Sequence, residues 1–494
     1  MQRRSRDQRT STTPQSRPLR HPRLPRTRGI DRTPGLFRQD EPKRHTRTEA
    51  RTPHRRTQRR NLRRNRTRRG RHQRIASGGG AVSAKKEAGP GRGVCAGIKV
   101  LELGSGAAGP VATKYLAEHG ADVIRIESAK RPDFLRILFL TPDSKHGVDG
   151  SPMFILLNPN KRSVALNMKH PDGVALAKRL ALEWADVVCE NFAPGPMTRF
   201  GMDYETLVAE KPDLVMVSGC LFGQTGPNRS YPGFGAQGSA LSGFNHLTGW
   251  PDRASAGPSG TITDSLAPRY VALAMVAALL EHRRTGEGQY VDVSQIETAV
   301  YSTSEVQVRY SASGEVVTRD GNRSEQAAPH GSYPCSGKDR WLAIAVWNDD
   351  DWERLREEMG RPEWSDDPAY ATNAGRLAAG DTLDEAISSW TREHDAHELM
   401  NRLQSVGLEA CVCQEFGEIV GDPQLAHRQH WVRVEHSNVG SLLTERSGFR
   451  LSETDGELRT AGPNLGEHTD AILSRCLGLE LEEIERLRVD EVLI

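Results

Sequence analysis

The sequence predicts an α/β protein: a Rossmann-like large domain on a parallel, doubly wound sheet, a smaller second domain, and a basic N-terminal arm. Three observations predict it. Short apolar runs alternate with amphipathic stretches between residues 98 and 219, the pattern turns hairpin-like after Gly321, and the charge balance breaks near residue 80.

The arm comes first. Residues 1–80 hold 26 of the 67 Lys and Arg but 5 of the 64 Asp and Glu, so a net +21 there leaves −18 on the remainder, and the overall +3 averages two unlike pieces. Apolar residues are almost confined to Leu19, Leu24, Ile30, Leu36, Phe37 and Leu62, too few to offset chain entropy, so residues 1–90 are expected to be a disordered Arg-rich extension. Such runs also compose nucleic-acid-binding arms, but Phe37 is the one aromatic residue in it to stack on a base, and no specific nucleic-acid partner is expected. It has neither the apolar stretch of a secretion signal nor an amphipathic repeat of a mitochondrial presequence. The preferred reading is a non-native extension, with the folded chain starting near Gly78–Gly97.

About 400 residues follow, enough for a large core and two domains. The longest uninterrupted apolar run, Tyr270–Leu280, is too short to span a bilayer, so no membrane partner is expected. The seven cysteines (95, 189, 220, 335, 411, 413, 476) include no CxxC pair, which suits reduced thiols in a cytoplasm. Cys411 and Cys413 in EACVCQ would share one face of a strand, where buried thiols are expected rather than metal ligands; no metal is expected.

The elements follow from periodicity. Residues 98–103 (IKVLEL) read as a strand, 111–118 as a helix, 121–127 (ADVIRIE) as a strand and 173–184 as a helix. Residues 186–191 (DVVCEN) then read as a strand, 204–210 as a helix and 214–219 (LVMVSG) as a strand. Right-handed crossovers would bring the loops after these strands to one rim, where ligands bind. The large domain is placed at 91–315, the small domain at 316–420, and 421–494 as a return to the large domain.

Two sites stand out. Gly104-Ser-Gly106-Ala-Ala-Gly109 follows a strand, opens a helix and is trailed by Glu127 at the end of the next strand, which matches a dinucleotide fingerprint and makes an NAD-dependent oxidoreductase a rival reading. Asp264 lies between a glycine-bearing turn and an apolar helix, in GPSGTITDSLAPRYVALAMVAALLEHRRTGEGQYVDV (257–293). A carboxylate there is either a helix N-cap or a nucleophile.

Six segments, in order, decide between these: 97–127, 158–173 (NPNKRSVALNMKHPDG), 185–207 (ADVVCENFAPGPMTRFGMDYETL), 218–227 (SGCLFGQTGP), the Asp264 segment, and 462–473 (GPNLGEHTDAIL). Over roughly residues 95–494 the chain resembles the family III (CaiB/BaiF-type) CoA-transferases. The resemblance implies an acyl-CoA:carboxylate CoA-transferase with Asp264 as nucleophile, passing through an aspartyl anhydride and thioester. Coenzyme A and acyl-CoA would be substrates, with no permanently bound cofactor. Coenzyme A contacts would fall at Ala107 and Ala108, Ser128, Leu166, Asn167, Met168 and Lys169, Asn191, Phe192 and Ala193, and Arg199. Arg199, Lys169 and Arg125 are the charged candidates for its phosphates. Gly257, Gly260 and Gly331 are candidate suppliers of oxyanion N–H donors, and His330 with Gly331 would lie near the substrate.

The resemblance also implies an interlocked homodimer, with a heteromer open. The departures from it restrict specificity. The formyl-CoA branch has a glutamine where Ala107 stands and a glutamate where Gly235 stands. A racemase of the same fold has a histidine where Phe234 stands, and Phe cannot exchange protons. His468 reads as a structural or cap residue and His246 as a loop residue. Four other readings remain open: the racemase, the NAD-dependent oxidoreductase using Gly104, Gly106 and Gly109, a nucleic-acid-binding protein, and a silent subunit of a heteromeric transferase.

Overall fold

A computed structural model describes residues 91–138, 140–141, 143–258 and 260–494; the expected disordered extension, residues 1–90, lies outside the described residues. Six parallel strands form the main sheet: β1 Lys99–Leu103, β2 Asp122–Glu127, β3 Arg162–Ala165, β4 Val187–Glu190, β5 Val215–Cys220 and β6 Tyr290–Ser294. Their order, β3-β2-β1-β4-β5-β6, places the reversal between β1 and β4, the topological switch point of doubly wound sheets. β2 and β5 are buried at every position, as expected for strands covered on both faces. β3 (RSVA) and β6 (YVDVS) are not picked out by periodicity, because polar residues interrupt each short run.

Two cores sandwich the sheet. On one face the helices Ala108–Glu118 and Ile262–Thr285 bury Ala112, Leu116, Val271, Met275, Ala278 and Leu279 against Val100, Val123, Val187 and Val215. On the other, Leu176, Leu180, Met202 and Leu207 join Ile472, Leu473, Ile484 and Leu487 from the end of the chain. The second half of the predicted 173–184 helix runs as a π-helical turn, Leu180–Trp184. Ile262–Thr285 is the one described helix long and apolar enough to cross a membrane; its length exceeds the uninterrupted run because polar residues flank it, and its inner stripe belongs to the core.

A third core belongs to the antiparallel sheet β7 His330–Pro334, β8 Trp341–Ala345 and β9 Glu409–Val412, with helices Asp349–Glu358, Asn373–Thr391 and Ala396–Ser405. The expectation of buried thiols at Cys411 and Cys413 is corrected. Ala410 takes the inward position of β9, so both cysteines are exposed on the opposite face. The hairpin β10 Trp431–His436 and β11 Gly440–Glu445 packs Val434 against Ile155, and the chain returns to the main sheet.

Candidate active site

The switch point is closed from both sides by one side chain. Asn191, just past β4, accepts the Ser105 N–H at 3.0 Å and donates to the Ser105 carbonyl at 2.7 Å, tying the β4 end to the loop after β1. That contact requires glycine at 104: its φ of 150° is in the region L side chains rarely adopt, and a Cβ there would sit 1.8 Å from Asn191 Oδ1.

Beneath the loop lies a buried network of charges. Arg125, paired in register with Glu102 across β2 and β1, donates to Glu102 at 2.5 Å, to Asp133 and to the Gly104 carbonyl at 3.1 Å. Lys161 donates to Glu102 at 2.7 Å and to the Pro110 carbonyl at 2.6 Å. Burial alone would raise the Glu102 carboxyl, but Lys161 and Arg125 hold it below its ordinary value, while burial brings the Lys161 ammonium down to about 8. Arg125 is fully buried, so its proposed role as a phosphate contact is corrected: it is a neutralised internal charge that shapes the loop.

The same network answers the dinucleotide reading. The Gly106 N–H, which in that fingerprint would face a pyrophosphate, is taken by Asp133 at 3.0 and 3.2 Å. Glu127, the counterpart of the ribose-binding acid, is 6% exposed and held at both oxygens by Arg136 at 2.9 and 2.8 Å. Neither group is available to a nicotinamide cofactor.

Asp264 sits in the first turn of the long helix, three residues past its N-cap, which is Thr261. The N-cap reading of Asp264 is therefore excluded. Its carboxyl is half-buried between two helix starts, accepting from the Thr261 hydroxyl and from the backbone N–H of Gly235, the first residue of the helix Gly235–Leu241. Burial pushes the carboxyl above its ordinary value, and the two hydrogen bonds pull it part of the way back. A carboxylate that is more basic than usual yet held by fixed donors can act as a nucleophile.

An aromatic bridge joins Asp264 to the glycine loop. Phe134 lies against Gly106, where a Cβ would be 2.5 Å from its ring, and Phe134 packs tilted on Phe234 with centroids 5.7 Å apart. Phe234 is the N-cap of the helix whose next residue, Gly235, abuts Asp264. Both rings are exposed, on the side of the switch point where doubly wound sheets bind their ligands.

The remaining candidates separate by accessibility. Ala107 and Ser128 are half-buried on the rim; Lys169, Ala193 and Arg199 are exposed there, and Arg199 ends the short helix Pro196–Arg199. Met168 and Phe192 are partly buried against the core. Ala108 and Leu166 are buried, and the Leu166 side chain belongs to the core of the sheet, so only its backbone could meet a ligand. Asn167 is buried as well and donates to the Glu491 carbonyl at 3.0 Å. His330 and Gly331 lie on β7 in the third core; His330 meets the Asn322 carbonyl at 2.6 Å and the Trp347 ring edge-on at 6.2 Å. Gly257 and Gly260 flank the turn before Asp264, and Gly260 takes a φ of 74°. His468 is the N-cap position of helix Thr469–Leu477, and its Nδ1 accepts the Ser163 N–H at 3.3 Å, a structural role.

Sequence reasoning missed Phe134, Thr261 and Gln224. Thr261 and Gln224 lie in segments already singled out, but nothing in those segments assigns their contacts; Phe134 carried no signal at all. Two recesses of about 450 and 440 Å³ lie along Ala165–Ile494 and Phe222–Glu297, and neither is lined by Asp264. Among the described residues no His, Cys, Asp and Glu cluster could hold a metal ion.

Fold and site together define a doubly wound α/β enzyme with its crevice at the β1/β4 switch point and a half-buried carboxylate beside it. Residues 95–469 match the model of CoA-transferase family III, and the chain belongs to that family. It is 34% identical over 397 residues to the succinyl-CoA–D-citramalate CoA-transferase of Chloroflexus aurantiacus, covering 80% of this chain and 97% of that one. To the formyl-CoA:oxalate CoA-transferase of Streptomyces coelicolor it is 31% identical over 414 residues, 80% of this chain and 98% of that one. A CaiB/BaiF family protein from Brucella suis has the same fold at a TM-score of 0.72 and 30% identity, covering 78% of this chain and all of that one. The protein is thus a CoA-transferase that acts on CoA thioesters.

Proposed function

We propose that the protein moves coenzyme A from an acyl-CoA donor to a free carboxylic acid through intermediates on Asp264. The observation that carries this is the carboxyl of Asp264, raised by burial and held by Thr261 and Gly235 beside the crevice. The carboxylate attacks the thioester carbonyl and expels the CoA thiolate, giving a mixed anhydride. The thiolate then attacks the aspartyl carbonyl, which releases the donor as its carboxylate and leaves an aspartyl-CoA thioester. The acceptor carboxylate attacks that thioester in turn, and the thiolate, returned to the resulting anhydride at the acceptor's carbonyl, frees Asp264. Each step exchanges one acyl bond for another, so the protein's task is to hold the thiolate and exclude water.

Coenzyme A is proposed to lie on the rim formed by Ala107, Ser128, Asn167–Lys169, Asn191–Ala193 and Arg199, with Arg199 and Lys169 toward its phosphates. Relatives of described activity use succinyl-CoA or formyl-CoA, and an acid of similar small size is the proposed partner substrate. Mass spectrometry after incubation with a panel of acyl-CoAs tests the reading. A covalent CoA or acyl adduct on the peptide containing residue 264 is expected; adducts elsewhere, or none with turnover intact, would refute it.

An oligomer is proposed as well. Leu273, Val276 and Leu280 on helix Ile262–Thr285, with Tyr301, Val308 and Tyr310 on the helices after β6, are exposed, and large apolar side chains left exposed in this way favour a partner. A homodimer covers them most simply. A heteromer is the second reading, because a 33% identical relative from Chloroflexus aurantiacus is named a beta subunit. Light scattering of the purified chain distinguishes monomer from dimer.

A further inference from the structure

Glu190 ends β4 and is 1% exposed, yet the chemistry at Asp264 does not use it. Its Oε2 accepts the N–H of Phe192 at 2.7 Å. The carbonyl of the same residue is held from the other side: Gln224 Nε2 donates to Phe192 O at 3.1 Å and reaches Glu190 Oε1 at 3.4 Å. Gln224 is itself fixed, because its backbone N–H donates to both Asp292 oxygens at 3.0 and 2.9 Å. Both backbone polar groups of Phe192 are therefore gripped by two side chains, one from β4 and one from the loop after β5. The next residue back, Asn191, passes that grip across the switch point to Ser105.

We propose that Glu190 and Gln224 are positioning residues that set the Asn191–Phe192 backbone and, through Asn191, the glycine loop of the coenzyme A crevice. The proposal rests on the reading that this crevice takes coenzyme A. Neither residue touches the reacting atoms; each acts through Asn191.

The surroundings of Glu190 give the device a signature. Burial pushes its carboxyl up to about 7, the Asp292 charge on β6 adds to this, and bonds from Ser218 and the Phe192 N–H oppose it. Tyr290 on β6 donates to Ser218 Oγ at 3.0 Å, and Cys220 on β5 lies in the same cluster with its thiol pushed up to about 12. A hydrogen bond to a carboxylate is stronger than one to a neutral carboxyl, so the grip on Phe192 tightens as pH rises through neutrality.

The test combines amide hydrogen exchange with kinetics on the full-length protein. In the parent, protection of peptides spanning residues 103–110 and 190–196, corrected for intrinsic rates, should rise severalfold between about pH 6 and pH 8. Glu190→Gln keeps an acceptor for Phe192 and should retain protection but lose the pH step. Glu190→Ala and Gln224→Ala should both lose protection and raise KM for acyl-CoA by about fivefold or more, with kcat changed less than about twofold. Gln224→Ala removes a half-exposed side chain and serves if Glu190→Ala fails to fold. Unchanged protection in both alanine variants overturns the clamp. Lost protection with unchanged KM overturns its connection to coenzyme A, and absence of CoA binding by the parent overturns the reading of the crevice while leaving the exchange result to judge the clamp.

Discussion

Gly235 stands so close to Asp264 that a β-carbon on it would lie 2.2 Å from Asp264 Oδ2 and 2.7 Å from Thr261 Cβ. The backbone donor that steadies the carboxylate is thus available only because residue 235 has no side chain. A glutamate, as stands there in the formyl-CoA branch, would need a different arrangement of the two helix starts. Gly235→Ala should displace the carboxylate, lowering kcat by about tenfold or more and stability by about 1–3 kcal/mol, the usual range for overpacking. Single-turnover kinetics and urea unfolding measure the two effects separately.

Asp264→Asn should bind coenzyme A as the parent does but lose exchange, with kcat reduced by about a thousandfold, because an amide is a very poor nucleophile. Activity within about tenfold of the parent would remove Asp264 from the mechanism.

The same variant should be more stable than the parent at neutral pH. The Asp264 carboxyl is raised in the folded protein, so the fold binds this proton more tightly than the unfolded chain does, and stability is lost as pH rises through the folded value. Asn lacks the charge and the loss. The gain, read as a difference in Tm, should shrink as pH falls toward the ordinary carboxylate value. Catalysis runs the opposite way, since the ionised form is the nucleophile: kcat/KM of the parent should fall as pH drops through that same raised value.

Arg125 and Arg199 should behave oppositely. Arg125→Ala removes the buried cation that pairs with Asp133 and leaves Glu102 with Lys161 alone, and should cost about 3–5 kcal/mol of stability, or prevent folding. Arg199 is exposed, and Arg199→Ala should leave the Tm of the free protein unchanged while weakening coenzyme A by about 1–3 kcal/mol through a lost phosphate contact. Calorimetric titration reads the second effect.

Coenzyme A should raise the Tm by mass action on the native state, whereas NAD and NADP should not, because Asp133 and Arg136 already occupy Gly106 and Glu127. A stabilisation by NAD alone would reopen the dinucleotide reading.

Sequence by itself determined the layered architecture. Strands covered on both faces read as short runs rich in apolar residues and their crossover helices as periodic stretches, so β1, β2, β4 and β5 were legible and with them the rim on which a ligand would lie. It also singled out Asp264, though by resemblance and position, with the cap and the nucleophile still in contention. Only the tertiary structure excluded the cap, by giving that position to Thr261, and the partner that holds the carboxylate, Gly235, lies 29 positions earlier and leaves no local periodicity to read. The same holds for the charges. Arg125 and Arg199 look alike in a sequence, but one is closed in by Glu102, Asp133 and Asn158 and the other faces water. Hydrophobic patterning reports whether a segment is buried; which charges meet inside depends on how distant segments pack, and that is settled only when the strands are in register.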